Sequence, residues 1–286
     1  MKIRVWGARG SLSAPGPATV GYGGNTSCVE VELADGTSLI LDAGSGIREL
    51  GQRLLGREQG ELHICLTHLH VDHVEGLGFF GPLWRAGWKL RFWGPPSTTA
   101  TLRERVSRYL SPPLFPIGLS EAPAEAVFED APREPWRIGS AVIEAQMVEH
   151  RGPTLGYRIE DEGRVLAYVP DHEPYLTAAL GDEPKWISGW ALAAGADLLL
   201  HDSQYTDEEY PSHLGWGHPP LTDALEFARR AHAGRLLLFH HDPLHSDDFL
   251  DAVAVTAAER WAAMGGAPGA VALAAEGATA SLPSAA

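Results

Sequence analysis

The chain has 286 residues, 44% of them hydrophobic and 8% aromatic, which supports a substantial buried core and excludes disorder as the default. Twenty-two basic residues against thirty-seven acidic ones give a formal charge of −15, so the field of the whole molecule disfavours a sequence-independent grip on nucleic-acid backbones. A local positive site, above all one made by bound metal ions, is not excluded by that total.

The first third reads as short strands punctuated by glycine: "IRVWG" (3–7), "SCVEVEL" (27–33), "SLILDAG" (38–44) and "ELHICLTH" (61–68). "SGIRELGQRLLG" between the last two places apolar residues at 47, 50, 54 and 55, a helical spacing. A second helix is expected over "VDHVEGLGFFGPLWRAG" (71–87), then a strand at "KLRFWGPP". Residues 95–135 are the least regular part, with a helix at "TATLRERVSRYL" and a Pro-rich run after it, an excursion that serves as a lid, a binding loop or plain surface chain. Strands resume at 140–150, 155–161, 163–171, 196–203 and 234–242, with the helix "LTDALEFARRAHAG" before the last. The small-residue tail suits one more strand and a frayed end.

The N-terminus lacks the apolar run of a signal peptide, and no stretch has transmembrane length. Cys28 and Cys65, the two cysteines, lie in strand-like apolar surroundings and read as buried free thiols. These features fit a cytoplasmic protein without membrane contact. No repeat or linker divides the chain, so residues 1–286 are expected to form one domain. The interleaved strands and helices, with one immediate hairpin at "RIEDEGRVL", point to an α/β fold of sheets packed together and covered by helices. Trp84, Trp88 and Trp93 read as core.

The chemistry concentrates in "THLHVDH". His68 and His70 sit two apart at the end of an extended run, where side chains share a face and both imidazoles can meet one ion. Asp72 and His73 follow where the chain turns, and reach a second point close by. Imidazole and carboxylate are the ligands of Zn²⁺ and related borderline ions. An open catalytic site needs about three ligands per ion, so distant segments must contribute. Candidates stand at the ends of apolar strands: His150, Asp171 and His240, with Asp42, His201 and Asp202 in the same kind of position. With thirteen histidines some of these are turn formers or satisfied polar residues, but the cluster of four in its strand-to-turn context reads as a metal loop.

This stretch resembles the H-x-H-x-D-H signature of the metallo-β-lactamase superfamily, and the resemblance covers nearly the whole chain. It implies a four-layer αββα sandwich of two mixed sheets with helices outside and the metals at one edge. "LILDAGSG" is similar to the superfamily's first motif, in which Asp42 would hold the metal loop. "VEHRGPTLGYRIE" and "LAYVPDHEP" are similar to the segments that supply a third ligand, His150, and a bridging carboxylate, Asp171. "LLLHDSQYTDEEY", "GWGHPPLTDALEFARRA" and "RLLLFHHDP" resemble the phosphodiesterase branch that includes tRNase Z and the cyclic phosphodiesterases. That carries Asp202 and His218 over as a catalytic pair and His240 as the last ligand, preferred to its neighbour His241 by the alignment of the apolar run. "GHPP" departs from the tRNase Z pattern, which has Ser and Thr there. "GARGSLSAPG" and "YGGNTSC" also fit the branch, making Asn25 a supporting candidate in a loop that could approach a ligand; a plain turn explains it equally well.

The resemblance implies two divalent ions, zinc first, then manganese or iron. One would be held by His68, His70 and His150, the other by Asp72, His73 and His240, with Asp171 bridging and Asp72 serving catalysis as well. Ions ~3.5–4 Å apart would share and activate a water for in-line attack on a phosphodiester, with His218, polarised by Asp202, protonating the leaving oxygen or stabilising charge. His172 and Glu173 follow the bridging residue and read as hydrogen-bonded support; His213 is near in sequence only. The expected substrate is a small cyclic or nucleotide phosphodiester. The alternatives are a thioester or lactam hydrolase on the same fold, a tRNA 3′-processing endonuclease, and a non-catalytic metal-binding regulator. Nucleic acid is disfavoured by the charge, and a homo-oligomer stays open because composition locates no interface.

Overall fold

Runs of consecutive apolar residues set the architecture. In the computed structural model, which describes residues 1–57, 59–179 and 181–285, Leu39 and Leu41 lie in one buried cluster and Ile40 in another. Alternate residues of a strand point to opposite faces, so an unbroken "LIL" belongs to a strand covered on both sides. Leu198 and Leu200 against Leu199 repeat the pattern.

The strands are β1 (Lys2–Gly7), β2 (Cys28–Glu32), β3 (Ser38–Leu41), β4 (Gly60–Cys65), β5 (Trp88–Gly94), β6 (Glu125–Asp130), β7 (Trp136–Ile138), β8 (Ala141–Met147), β9 (Leu155–Asp161), β10 (Arg164–Val169), β11 (Leu198–Asp202), β12 (Leu236–Phe239), β13 (Val271–Leu273) and β14 (Thr279–Ser281). They form two seven-stranded sheets, ordered β14-β1-β2-β3-β4-β5-β6 and β13-β12-β11-β10-β9-β8-β7. The sheets are built alike. Each has an antiparallel half and a parallel half, β3 to β6 in the first and β10 to β13 in the second.

Between them lies the central cluster, in which Val29, Val31 and Leu41 pack with Ile159, Leu166 and Tyr168. Outside the first sheet sit α1 (Ile47–Leu54) and α2 (Leu102–Tyr109); outside the second sit α3 (Trp190–Ala193), α4 (Leu221–Arg230) and α5 (Asp247–Ala263). This is the four-layer αββα sandwich of two mixed sheets.

Three local expectations are corrected, and one helix is added. Residues 71–84 form three short 3₁₀ segments, Val71–His73, Glu75–Phe79 and Gly81–Trp84, in place of a helix. Gly76, Gly78 and the Gly81-Pro82 pair weaken a continuous helix, and Gly76 packs where a Cβ would stand 2.1 Å from the Gly44 carbonyl oxygen. The 95–135 excursion contains the edge strand β6, parallel to β5, whose half-exposed residues mask the strand pattern. The tail holds two strands, β13 and β14, the latter paired with β1. Helix α5, expected nowhere in the sequence reading, buries only Leu250, Ala257 and Trp261, too sparse a stripe to show as helical periodicity.

Topology then positions the site. β8 and β10 both run antiparallel to β9, so β8, β10, β11 and β12 all end at one edge of their sheet, as β3 and β4 do in theirs. Ligand sites in such sheets form outside the carboxyl ends of the strands. Every residue singled out after a strand therefore arrives at the same rim. Cys28 and Cys65 are buried free thiols, and among the described residues no helix is long and apolar enough to cross a membrane.

Candidate metal centre

Leu66 and Thr67 continue β4 inward, and the chain then leaves the sheet with His68 buried and His70 exposed. His70 opens the 3₁₀ turn that carries Asp72 and His73, both buried. Asp42 fixes this loop from the end of β3. At φ +58° it occupies the left-handed region, which Asp tolerates better than most residues. Its fully buried carboxylate accepts from the Thr67 backbone N–H (2.7 Å), the Thr67 hydroxyl (2.9 Å), His73 Nδ1 (2.8 Å) and the Tyr168 hydroxyl (3.0 Å).

These bonds settle which ring nitrogens face inward, because a second partner decides a histidine tautomer. His73 donates Nδ1–H to Asp42, leaving an Nε2 lone pair. The Thr67 hydroxyl donates to Asp42 and accepts from His68 Nδ1 at 3.1 Å, which leaves His68 Nε2 bare. His150 donates Nδ1–H to the Gly217 carbonyl oxygen at 2.8 Å, and His240 donates Nδ1–H to Gln204 Oε1 at 2.9 Å. The free Nε2 atoms converge. His73 Nε2 lies 3.4 Å from His240 Nε2, and His150 Nε2 lies 3.3 Å from His70 Nδ1.

Carboxylates fill the remaining corners. Asp72 Oδ2 is 3.3 Å from His73 Nε2 and 3.2 Å from His240 Nε2. Asp171, at the end of β10, places Oδ2 within 3.3 Å of His240, 3.6 Å of His150 and 3.7 Å of His68, and Oδ1 3.0 Å from His73. His68 Nε2 and Asp171 Oδ1 are both buried without a hydrogen-bond partner. Lone pairs gathered at these spacings suit a cation among them, and the N/O donor set suits zinc-like ions. The residues fit such a group. Among the described residues five sets of donor atoms lie within 4.8 Å of one another: His68, His70 and His150; His68, His73 and Asp171; Asp72, His73 and His240; His150, Asp171 and His218; and Asp202, His218 and His240.

The electrostatics agree. Burial pushes His68 well down, and His150 down to about 4 against the pull of Asp171, so both imidazoles are neutral donors at neutral pH. Despite burial, which opposes it, His73 is pushed well above its ordinary value by Asp171, Asp42 and Asp72. The cluster demands positive charge, which a divalent ion supplies.

Beside this cluster, His218 Nδ1 lies 2.7 Å from Asp202 Oδ2, and the His218 ring stacks on His240 with centroids 4.8 Å apart. The Asp202 carboxylate also accepts from the backbone N–H groups of His172 and Gln204, each at 3.0 Å. Burial pushes Asp202 well up and His218 down.

Several candidates fall outside the cluster. His241 donates Nε2–H to the Ala274 carbonyl oxygen, away from it, while His240, at φ +64°, turns in. Asn25 is tied to Glu276 through its backbone and side-chain N–H groups and accepts from the Ser45 hydroxyl. These bonds brace the turn that carries it. Glycine in that N-terminal loop does leave room, but for a side chain: a Cβ on Gly10 would stand 2.2 Å from His240 Nδ1. His172 bonds His201 through its ring and Asp202 through its N–H, and Glu173 accepts from the N–H groups of Gly215 and Gly217. His213 stacks on Tyr205, away from the donor cluster. Sequence reasoning missed Gln204 and Ser11. Gln204 sets the His240 tautomer, and the Ser11 N–H donates to Asp72 Oδ2 at 2.7 Å. "HDSQ" held the only hint, a polar residue two beyond a strand end.

Two facing mixed sheets with this rim of donors, taken with the family and relatives that the chain matches, define the class, a metal-dependent hydrolase. The beta-lactamase superfamily domain model matches residues 37–241, and the chain belongs to the metallo-β-lactamase superfamily. It is 28% identical over 264 residues to a protein named ribonuclease Z from Gemmatimonas aurantiaca, covering 76% of this chain and 80% of that one. Among solved structures, the short form of human tRNase Z superposes with a TM-score of 0.65 at 20% identity, covering 99% of this chain and 100% of the other. A diphosphatase from the PhnP family gives 0.69 at 18% identity, covering 99% and 98%.

Proposed function

We propose that the protein is a dinuclear metal-dependent phosphodiesterase acting on a small phosphodiester. His68, His70 and His150 would hold one divalent cation, Asp72, His73 and His240 the other, and Asp171 stands between the two sets. Two such cations, when bound, supply Lewis-acid activation of water and neutralisation of phosphate charge. Zinc fits the donors first, then manganese or iron.

The observation that carries the phosphodiester reading is the Asp202–His218 pair at 2.7 Å, packed directly on His240. Asp202 is fixed by two backbone N–H groups and orients His218, which would pass a proton to the leaving alkoxide. Thioester and lactam hydrolysis do not call for this extra pair. A second reading, tRNA 3′ processing, is favoured by the relative named ribonuclease Z; the −15 charge weighs against it.

The test is parallel assay of bis(p-nitrophenyl) phosphate, a thioester, a β-lactam and a precursor tRNA on zinc- and manganese-loaded protein. Turnover of the phosphodiester, falling ~10²–10⁴-fold in His218→Ala, is the expected result. Thioester turnover without phosphodiester turnover overturns the reading, and efficient tRNA cleavage shifts it to the second.

A further inference from the structure

A cavity of about 540 Å³ opens directly on His68 and His70. One wall is the metal loop itself, through Leu69, Val71 and Val74; the facing wall is α2 and the chain after it, through Val106, Tyr109 and Leu114. The 95–115 part of the irregular excursion therefore builds a chamber beside the metal centre. Ligand sites have this composition, largely apolar with a few placed polar groups.

Its formally charged side chains have one sign. Arg105, Arg108 and Arg151 line the cavity and no Asp or Glu does, in a chain where acidic residues outnumber basic ones thirty-seven to twenty-two. Arg105 and Arg108 are three apart on α2 and so share a helix face. Arg105 is committed to the wall, donating from Nη2 to the Pro95 carbonyl oxygen and to Asp130. Arg108 is exposed and makes no ion pair among the described residues. Arg151 uses Nε on the Gly215 carbonyl oxygen, on the turn that carries His218, and keeps its terminal nitrogens clear of any carboxylate among the described residues. Two guanidinium forks thus flank an apolar chamber that opens on the scissile position.

Resting on the phosphodiesterase reading, we propose that this cavity binds the non-reacting part of the substrate, and that this part is an apolar ring system bearing a second anionic group. Arg108 and Arg151 are the specificity-determining residues, because paired charged hydrogen bonds recognise phosphate or carboxylate oxygens. The simplest such substrate is a nucleotide ester with a further phosphate.

The experiment compares thymidine 5′-(p-nitrophenyl phosphate) with its 3′-phosphorylated counterpart on metal-loaded protein. Wild type is expected to prefer the 3′-phosphorylated ester in kcat/KM by roughly 10- to 100-fold. Arg108→Ala and Arg151→Ala should each cut that ratio, Arg108→Lys should restore part of it, and Arg91→Ala, a surface control, should leave it alone. Calorimetric binding of thymidine 3′,5′-bisphosphate to the same variants reads the cavity without turnover. Binding that depends on Arg108 and Arg151 while no ester is cleaved keeps the cavity and removes the phosphodiesterase reading. Cleavage without preference for the 3′-phosphate, or a preference untouched by both alanine variants, overturns the cavity proposal alone.

Discussion

Neighbouring histidines on one strand end have opposite fates, and the difference is one of backbone. His240 adopts φ +64° and swings Nε2 to within 3.2 Å of Asp72, whereas His241 points its ring at the Ala274 carbonyl oxygen. Gln204 then completes His240 by accepting its Nδ1–H while donating to Asp242 at 3.1 Å, which fixes the orientation of the amide. Three variants separate these roles by bound metal, measured by mass spectrometry on purified protein. His240→Ala is expected to lose one of two ions, and His241→Gln to keep both, since glutamine can still donate to Ala274. Gln204→Ala should weaken metal binding about 10- to 100-fold, as loss of a ligand's hydrogen-bond partner does. Equal metal content in His240→Ala and wild type would remove His240 from the ligand set.

At the scale of elements, the "GWGH" turn is a device for two residues at once. Gly217 at φ +101° turns its carbonyl to His150, and a Cβ there would stand 2.3 Å from His150 Nδ1. Glu173, one residue beyond His172, holds the same turn by its N–H groups. Gly217→Ala should therefore cost about 1–3 kcal/mol in stability from backbone strain, and should displace His150 and His218 together. Thermal melting and phosphodiester turnover should both fall; turnover preserved at wild-type level would show that the turn does not place them. This element also shows what the sequence could and could not reveal. The apolar runs of β3, β10, β11 and β12 mark strands and bring Asp42, Asp171, Asp202 and His240 to strand ends, so most of the rim was legible. Gln204 and Ser11 were not, because they act through tertiary contacts that carry no spacing. The 3₁₀ segments after His70 were misread as a helix because their apolar spacing survives where glycine removes the helix itself.

For the molecule as a whole, the rim has a consequence in acid. Beyond the donor cluster, burial holds His201 down to about 4 and His241 down to about 3, and burial with the neighbouring His201 holds His172 well down. In the unfolded chain each titrates near the ordinary value of about 6.5. Between the two values the unfolded state binds the proton and the native state refuses it, so the stabilisation is full above about 6.5 and is lost as pH falls toward the folded values. Proton competition for the metal donors acts in the same direction, so wild type alone cannot separate the two effects. His241→Gln can, because it removes one buried imidazole, keeps the donor to Ala274 and leaves the cluster untouched. Urea unfolding measured between pH 6.5 and 5 should show wild-type stability falling with pH. The slope in the variant should be shallower by up to about 1.4 kcal/mol per pH unit, the value for one proton. An identical slope in both proteins would mean that His241 takes up its proton in the folded state.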